Sequence, residues 1–435
     1  MVRKVILTFS FVSLFLAVSY GGVHFGLIDA VKEQVKELDK KVTEHLKQTS
    51  QDQTTKGLTK LEEAYNILAA GGNYESFVSK VKEANSLFEK ALKNNPDNPE
   101  ANLGYAITST ILVAEDPNVK ELISQTTSFI MPAPRLTVMG TGIVPTKSNA
   151  SVTSFLSGGS MRAFALKAVQ NPPAMSEVQK VISNVVIPII DKAIKCLEKI
   201  ENLPSFSLTL KVDNQQVEID KGEVYILDAQ IQFLKSFLCF FASYNLDVNY
   251  DDFKDTATAR IAFENIVKKQ GDYANFLTLK DSAKLRTSGD AFANFSSKII
   301  TGMNSIEAET DDQTDDIIRK PSSAELNDWD IIKKTFQQIY DTVQGPTTIK
   351  FTDYDPQSTF PDLKINLRAI LYNPQLLDFR VFIPSGEWNF ENMEEPFTPS
   401  DIDGDGTIPD WSDPTFYGMF PEMTNAKWKT YFGGI

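Results

Sequence analysis

Glu223-Val-Tyr-Ile-Leu-Asp-Ala-Gln-Ile-Gln-Phe-Leu-Lys-Ser-Phe-Leu-Cys-Phe-Phe-Ala-Ser-Tyr244 is a nearly all-apolar run carrying Leu234, Phe237, Leu238, Phe240 and Phe241. Its length and aromatic density predict a helix at the centre of the core, because only neighbours on several sides could cover it. Glu223, Asp228, Gln230, Gln232 and Lys235 argue against a membrane span. Immediately upstream, Phe206, Leu208, Leu210 and Val212 alternate with polar residues. Val217 and Ile219 resume the alternation beyond Asp213-Asn-Gln-Gln216, which is the period-two pattern of a β-hairpin over 206–219.

Helical patterns extend outward on both sides. Ser176 to Ile200 reads as a helix kinked at Pro188. Cys196 and Cys239 fall on these two neighbouring antiparallel helices, several turns apart, so buried free thiols are expected in place of a disulfide. Thr126 to Pro173 is irregular, with one short helix from about Met161 to Val169. Downstream, helices are expected at about 256–270, 273–306 and 324–343, with the acidic Glu307 to Asp316 as a solvated loop between the last two. After Gly345-Pro346 the chain turns to prolines, aromatics and short strand-like pieces at Thr347 to Phe351, Leu363 to Leu371 and Phe379 to Ile383.

Toward the N-terminus, Leu58 to Ala69 and Tyr74 to Lys93 read as helices around a Gly71-Gly72 break. Ala84, Phe88, Ala91 and Leu92, followed by Asn94-Asn-Pro-Asp-Asn-Pro99 and a helix from Ala101 to Val113, resemble about one tetratricopeptide repeat over 65–113. The resemblance implies a helical-hairpin array, with Pro96 as the turn proline. Leu27, Val31, Val35, Leu38, Val42 and Leu46 mark a further amphipathic helix. The polar Thr49 to Thr55 reads as a hinge or loop after it. The expected fold is therefore mainly α, a tetratricopeptide-like hairpin array or bundle with one β-hairpin and an irregular C-terminal segment. The expected divisions are a signal peptide at 1–21, an N-terminal helical region at 22–120, a helical core at 121–345 and a C-terminal segment at 346–435.

Met1-Val-Arg-Lys, the uncharged Val5 to Val18, and Ser-Tyr-Gly-Gly have the three zones of a secretory signal, with an uncleaved anchor as the competing reading. The chain has 435 residues, 42% of them hydrophobic and 23% charged, which is the mix of a globular protein. A net charge of −14 argues against gripping a nucleic-acid backbone.

Asp401-Ile-Asp-Gly-Asp-Gly-Thr-Ile-Pro-Asp-Trp-Ser-Asp413 is the one stretch whose spacing specifies a chemistry. Alternating carboxylates followed by a turn glycine fold oxygens around a hard cation. The order is similar to calcium loops of the EF-hand, dockerin and thrombospondin type-3 kinds. That resemblance implies Asp401, Asp403 and Asp405 as ligands, Gly406 as the turn, and the Thr407 carbonyl as a further ligand. Ser412 stands where an EF-hand has glutamate; a one-residue insertion brings Asp410 and Asp413 into the later ligand places. The expected ion is Ca2+, and the expected role is to hold the aromatic tail (Trp411, Phe416, Tyr417, Phe420, Trp428, Tyr431, Phe432) against the helical body. Asn245 to Asp252 also alternates oxygen-bearing side chains, but it lacks the glycine and reads as a helix end and turn.

Only two histidines, His24 and His45, occur in the chain, so a histidine-dependent triad or histidine-rich zinc site is nearly excluded. There is no Gly-x-Ser-x-Gly, Gly-x-x-x-x-Gly-Lys or Cys-x-x-Cys. The sequence thus points to an exported, non-catalytic binding or scaffold protein of a bacterial cell envelope with a protein partner, no nucleic-acid partner and a calcium-stabilised C-terminal segment. The alternatives are a secreted enzyme using carboxylates and a surface-structural protein with the 27–46 helix as stem.

Overall fold

A computed structural model describes residues 25–126, 173–212, 215–253, 256–310, 314–354, 358, 361–373, 378–388, 397–400, 402 and 410–432. The signal segment and most of 126–173 lie outside them. Among the described residues the chain is mainly helical with three two-stranded antiparallel pairings.

The first layer is built from α1 (Phe25–Ala69), α2 (Tyr74–Asn94) and α3 (Pro99–Leu112). The hinge expected at 49–55 is absent: α1 runs unbroken through it. The polar side chains there bond along and across the helix in place of breaking it. Thr49, Thr54, Thr55 and Thr59 donate their hydroxyls to the carbonyls four residues back. The buried Ser50 and Thr54 also accept from the Asn98 amide at 3.2 and 3.1 Å. Asn98 in turn caps α3, accepting from Ala101 N–H at 3.0 Å, with Pro99 in the first turn where a missing N–H costs nothing.

The small–aromatic pattern behind the repeat resemblance has a direct packing role. Phe88 of α2 is fully buried, and its ring lies against Gly57 of α1 and Gly104 of α3. A Cβ added at Gly104 would fall 2.3 Å from Phe88 Cζ, and one at Gly57 2.7 Å from Cε1. After α4 (Pro117–Thr126) and the undescribed stretch come α5 (Met175–Val181) and α6 (Ile187–Glu201), joined by a π-helical turn at Ile182–Val186. The irregularity precedes Pro188, whose ring crowds the carbonyl four residues earlier, so the expected distortion takes the form of a widened turn.

The hairpin forms as expected, with β1 (Ser207–Val212) and β2 (Gln215–Asp220) pairing Leu208 with Ile219 and Leu210 with Val217 on the buried face. It feeds α7 (Lys221–Ser243), whose start is a capping box: Asp220 accepts from Gly222 N–H at 2.7 Å, and Glu223 accepts from Asp220 N–H at 3.2 Å. Then follow α8 (Thr256–Lys268), α9 (Ser282–Ala308) and α10 (Leu326–Gln344).

Helix α7 is central, packing on α6, β2 and above all antiparallel to α9. It is not covered all round by bulky side chains, however. Its buried positions include Asp228, Ala229, Gln232, Ser236, Cys239 and Ser243, while Phe237 is 41% exposed. The physical reason is the closeness of the two backbones. Ser236 Oγ donates to Ser288 O at 2.9 Å and Ser288 Oγ to Ser236 O at 2.8 Å, a reciprocal link across the helix pair. A Cβ at Gly222 would meet Ile306 Cγ1 at 2.4 Å. Small residues at the contact displace the rings to the flank, where Phe233 packs on Phe295 with centroids 5.0 Å apart. Cys196 and Cys239 are buried free thiols.

The C-terminal segment contains β3 (Thr347–Ile349) paired with β4 (Leu363–Ile365), α11 (Leu367–Tyr372), β5 (Gly386–Trp388) paired with β6 (Phe397–Pro399), and α12 (Asn425–Phe432). Of the strand-like pieces, Phe379–Phe382 is a 3-10 turn, and the piece starting at Leu363 becomes helical after Asn366.

The packing around Phe88 yields a test. Gly104→Ala pushes a methyl into a buried ring and lowers stability by about 1–3 kcal/mol in urea unfolding. Phe88→Leu, by shortening that ring, recovers part of the loss in the double variant; independent, additive losses would contradict the contact.

Candidate functional site

The Asp-rich stretch is described only at Ile402 and from Asp410 onward, so Asp401, Asp403, Asp405 and Thr407 lie outside the described residues. What is visible is the base of the loop. Ser385 N–H donates to Asp410 O at 2.7 Å, and Ser385 O accepts from Ser400 N–H at 2.9 Å. Asp410 Oδ2 accepts from Ile402 N–H at 2.6 Å, and this aspartate is fully buried. One serine and one carboxylate thus hold the two ends of the stretch side by side, as in compact loops whose ends meet.

Asp413 has a different geometry. Oδ1 accepts from Thr415 N–H at 3.0 Å and Thr415 Oγ1 at 2.6 Å, and Oδ2 accepts from Tyr417 N–H at 2.7 Å. Burial works against its charge, but these bonds prevail and hold its carboxyl below the usual carboxylate range. The turn it organises is a strained one: Phe416, Tyr417 and Gly418 follow one another with φ of 48°, 56° and 79°. Non-glycine residues enter that region at a cost of about 1–2 kcal/mol each. The turn sets Phe416 in an aromatic cluster, 5.3 Å from Trp428, 4.9 Å from Phe382 and 5.7 Å from Trp411 between ring centroids. Trp428 Nε1 donates to Pro414 O and Trp411 Nε1 to Phe382 O, so both indoles are satisfied.

This cluster draws Leu363, Phe382, Met419, Phe420 and Met423 from the C-terminal segment itself, so the aromatic tail forms its own small core. The attachment to the helical body runs elsewhere. Buried Arg380 donates to Asp378 Oδ1 at 2.7 Å and to Ile266 O at 3.3 Å, Asp378 also pairs with Lys269, and Tyr372 Oη donates to Asp290 at 2.7 Å.

The donor set proposed for the loop is all oxygen, which suits calcium or another hard cation. Of its described members, Asp410 secures the loop base and Asp413 secures the turn that follows. Two further acidic clusters were not anticipated from the sequence. Asp220, Glu223 and Glu309 bring carboxylate oxygens within 4.8 Å of one another, as do Glu218, Asp315 and Asp316. Burial, then the neighbouring Asp220 and Glu309, raise Glu223 well above the usual carboxylate range. The Asp-x-x-Glu spacing ahead of an apolar run was the sequence signal for this pair, and capping accounts for it.

Between α6, α7 and α9 lies a third group. Lys298 bonds Glu201 and stands 3.3 Å from Asp228 Oδ2, with its ammonium 5.4 Å from the Tyr225 ring centroid. Asp228 is fully buried; burial and the charge of Glu201 push its carboxyl up to about 7, against the pull of Lys298. Two carboxylates sharing one ammonium hold one negative charge too many for an interior site. The Asn245–Asp252 stretch is spent on turn and tertiary bonds: Asn245 and Asn249 accept from the N–H groups of Asp247 and Asp251, Tyr273 Oη donates to Asp252 Oδ2 at 2.9 Å, and Asp247 Oδ1 accepts from Ser176 N–H at 2.6 Å.

The described residues define a mainly α-helical protein in which Ser385 and Asp410 bring the two ends of the acidic 401–410 stretch together. The chain matches no protein-family model, no curated protein and no solved structure.

The buried triad makes a pH prediction. A carboxyl raised in the folded state binds its proton more tightly there than in the unfolded chain, so its contribution is complete below about pH 4 and is lost as pH rises through about 7. Wild type should therefore lose about 2 kcal/mol more stability than Asp228→Asn between pH 5 and pH 8, measured by urea unfolding. Parallel pH profiles for the two proteins would contradict the assignment.

Proposed function

We propose that this chain is a non-catalytic binding or scaffold protein, exported to the cell envelope and stabilised by calcium in its C-terminal segment. The observation that carries the calcium reading is the loop base: Ser385 and the buried Asp410 carboxylate gather residues 400, 402 and 410. Such a base brings together the two ends of the oxygen-rich stretch, which is what a cation-binding loop needs. Asp401, Asp403, Asp405 and the Thr407 carbonyl would supply the ligands, joined by Asp410 and Asp413 where their remaining lone pairs allow. The cation would offset repulsion among the loop carboxylates and stiffen the segment around its aromatic core. The binding reading draws on the layered helical hairpins, which offer an extended face to a protein partner.

A second reading, an enzyme using paired carboxylates, draws on Glu201 and Asp228. It is the weaker one, because Lys298 already bonds one of these groups and faces the other inside the packing of three helices.

Calorimetry and thermal unfolding with millimolar calcium test the ion. Wild type should give binding heat and a higher melting midpoint, and Asp403→Ala should lose both. Absence of heat and shift in wild type would sink the calcium reading. Asp413→Ala should behave differently, costing about 1–3 kcal/mol with or without calcium, because its carboxylate also holds the strained 415–417 turn.

A further inference from the structure

The first half of α1 carries an apolar seam with no hydrophobic-cluster partner among the described residues. From Glu33 to Thr49 no described side chain is buried, and Ser50 is the first that is. Leu38 is 46% exposed, and neither it, Val35 nor Val42 belongs to any of the hydrophobic clusters. The opposite face is charged and paired within the helix, Glu33 with Lys36 at 3.4 Å and Glu37 with Lys41 at 2.8 Å. A helix with one saline face and one exposed apolar stripe is built for a helical neighbour.

The spacing of the stripe selects which neighbour. Ile28, Val31, Val35, Leu38 and Val42 are separated by three, four, three and four residues, the a–d alternation of a heptad seam. The a positions are β-branched throughout (Ile28, Val35, Val42) and leucine stands at the central d position (Leu38). That arrangement favours two parallel strands over higher oligomers. In a parallel pair, by sequence, Gln34 comes opposite Asp39 and Lys41 opposite Leu46 of the other copy, so these flanking positions bring no like charges together. The lysine methylenes can cover the edge of the seam. The apolar register ends at Val42, since His45 takes the next d position and Thr49 the next a position.

We propose that the segment of α1 from Ile28 to about Val42 pairs with the same segment of a second copy of this chain, forming a short parallel two-stranded coiled coil that joins two helical bodies. The proposal rests neither on the calcium loop nor on export. The stem spans about 37 Å from Phe25 to Thr49 at 1.5 Å per residue.

Two measurements on the full chain test it. In sedimentation equilibrium the wild type should reach twice the monomer mass with rising concentration, and Leu38→Asp should stay monomeric with an unchanged unfolding transition. A wild type that stays monomeric at every concentration, or a Leu38→Asp variant that still dimerises, overturns the proposal. Orientation is read by cysteine cross-linking with a copper–phenanthroline oxidant. Leu38→Cys, at a seam position, should form a covalent dimer readily, whereas Lys40→Cys, on the outer face, should not. Equal yields at the two positions, or none at Leu38→Cys, also overturn it.

Discussion

The close antiparallel contact between α7 and α9 is the constraint on which the rest of the architecture depends. Two backbones near enough for Ser236 and Ser288 to bond each other's carbonyls leave no room for aromatic rings between them at that level. The rings of α7 are therefore displaced to its flanks, where Phe233 meets Phe292 and Phe295 and where α10 adds Phe336 to Phe295, while Ile226 fits against Gly302 of α9. The polar interior that remains must be satisfied internally, since an unpaired buried charge would cost several kcal/mol. Lys298 meets part of that need, bonding Glu201 and standing beside Asp228, and in doing so links α6, α7 and α9.

How much of this was legible depends on the range of the interaction that decides it. Period-two alternation within β1 and β2 located the hairpin, because one buried face writes itself into neighbouring residues. The α2–α3 hairpin was legible for a similar reason: its turn residues and its small–aromatic pattern are local. The polar stretch at 49–55 misled because its deciding partner, Asn98, lies more than forty residues away and converts side chains that would compete with the helix into cross-links that secure it. Aromatic density in 223–244 correctly implied a central helix but not which residues face inward, since that follows from the approach distance of α9. The Asp228–Lys298 pairing was invisible for the same reason.

The C-terminal segment divides differently. The spacing of Asp401, Asp403 and Asp405 suggested an ion, and only spacing could suggest it. The roles of Asp410 and Asp413 in closing the loop and capping the next turn depend on backbone donors at Ser385, Ile402, Thr415 and Tyr417, which any residue carries and no pattern marks. Strain at Phe416 and Tyr417 is equally silent in sequence. It persists because Asp413 holds the turn from one side and four aromatic rings hold Phe416 from the other. The aromatic tail is thereby a self-contained core, while the rest of the segment is tied to the helical body through Leu371, packed with Tyr244, Leu285 and Val343, and through Asp378, Arg380 and Tyr372.

The continuity of α1 gives these separate parts a common mechanical consequence. A hinge at 49–55 would have let the N-terminal stripe swing independently of the body. With Ser50 and Thr54 fixed to Asn98, and Asn98 capping α3, the stem and the first layer share one axis. Any partner that engages Val35, Leu38 and Val42 is therefore engaging a rigid extension of the α1–α3 packing, and its orientation is passed to the body without slack. A flexible tether would bring two bodies near each other. An unbroken helix would also fix how they face.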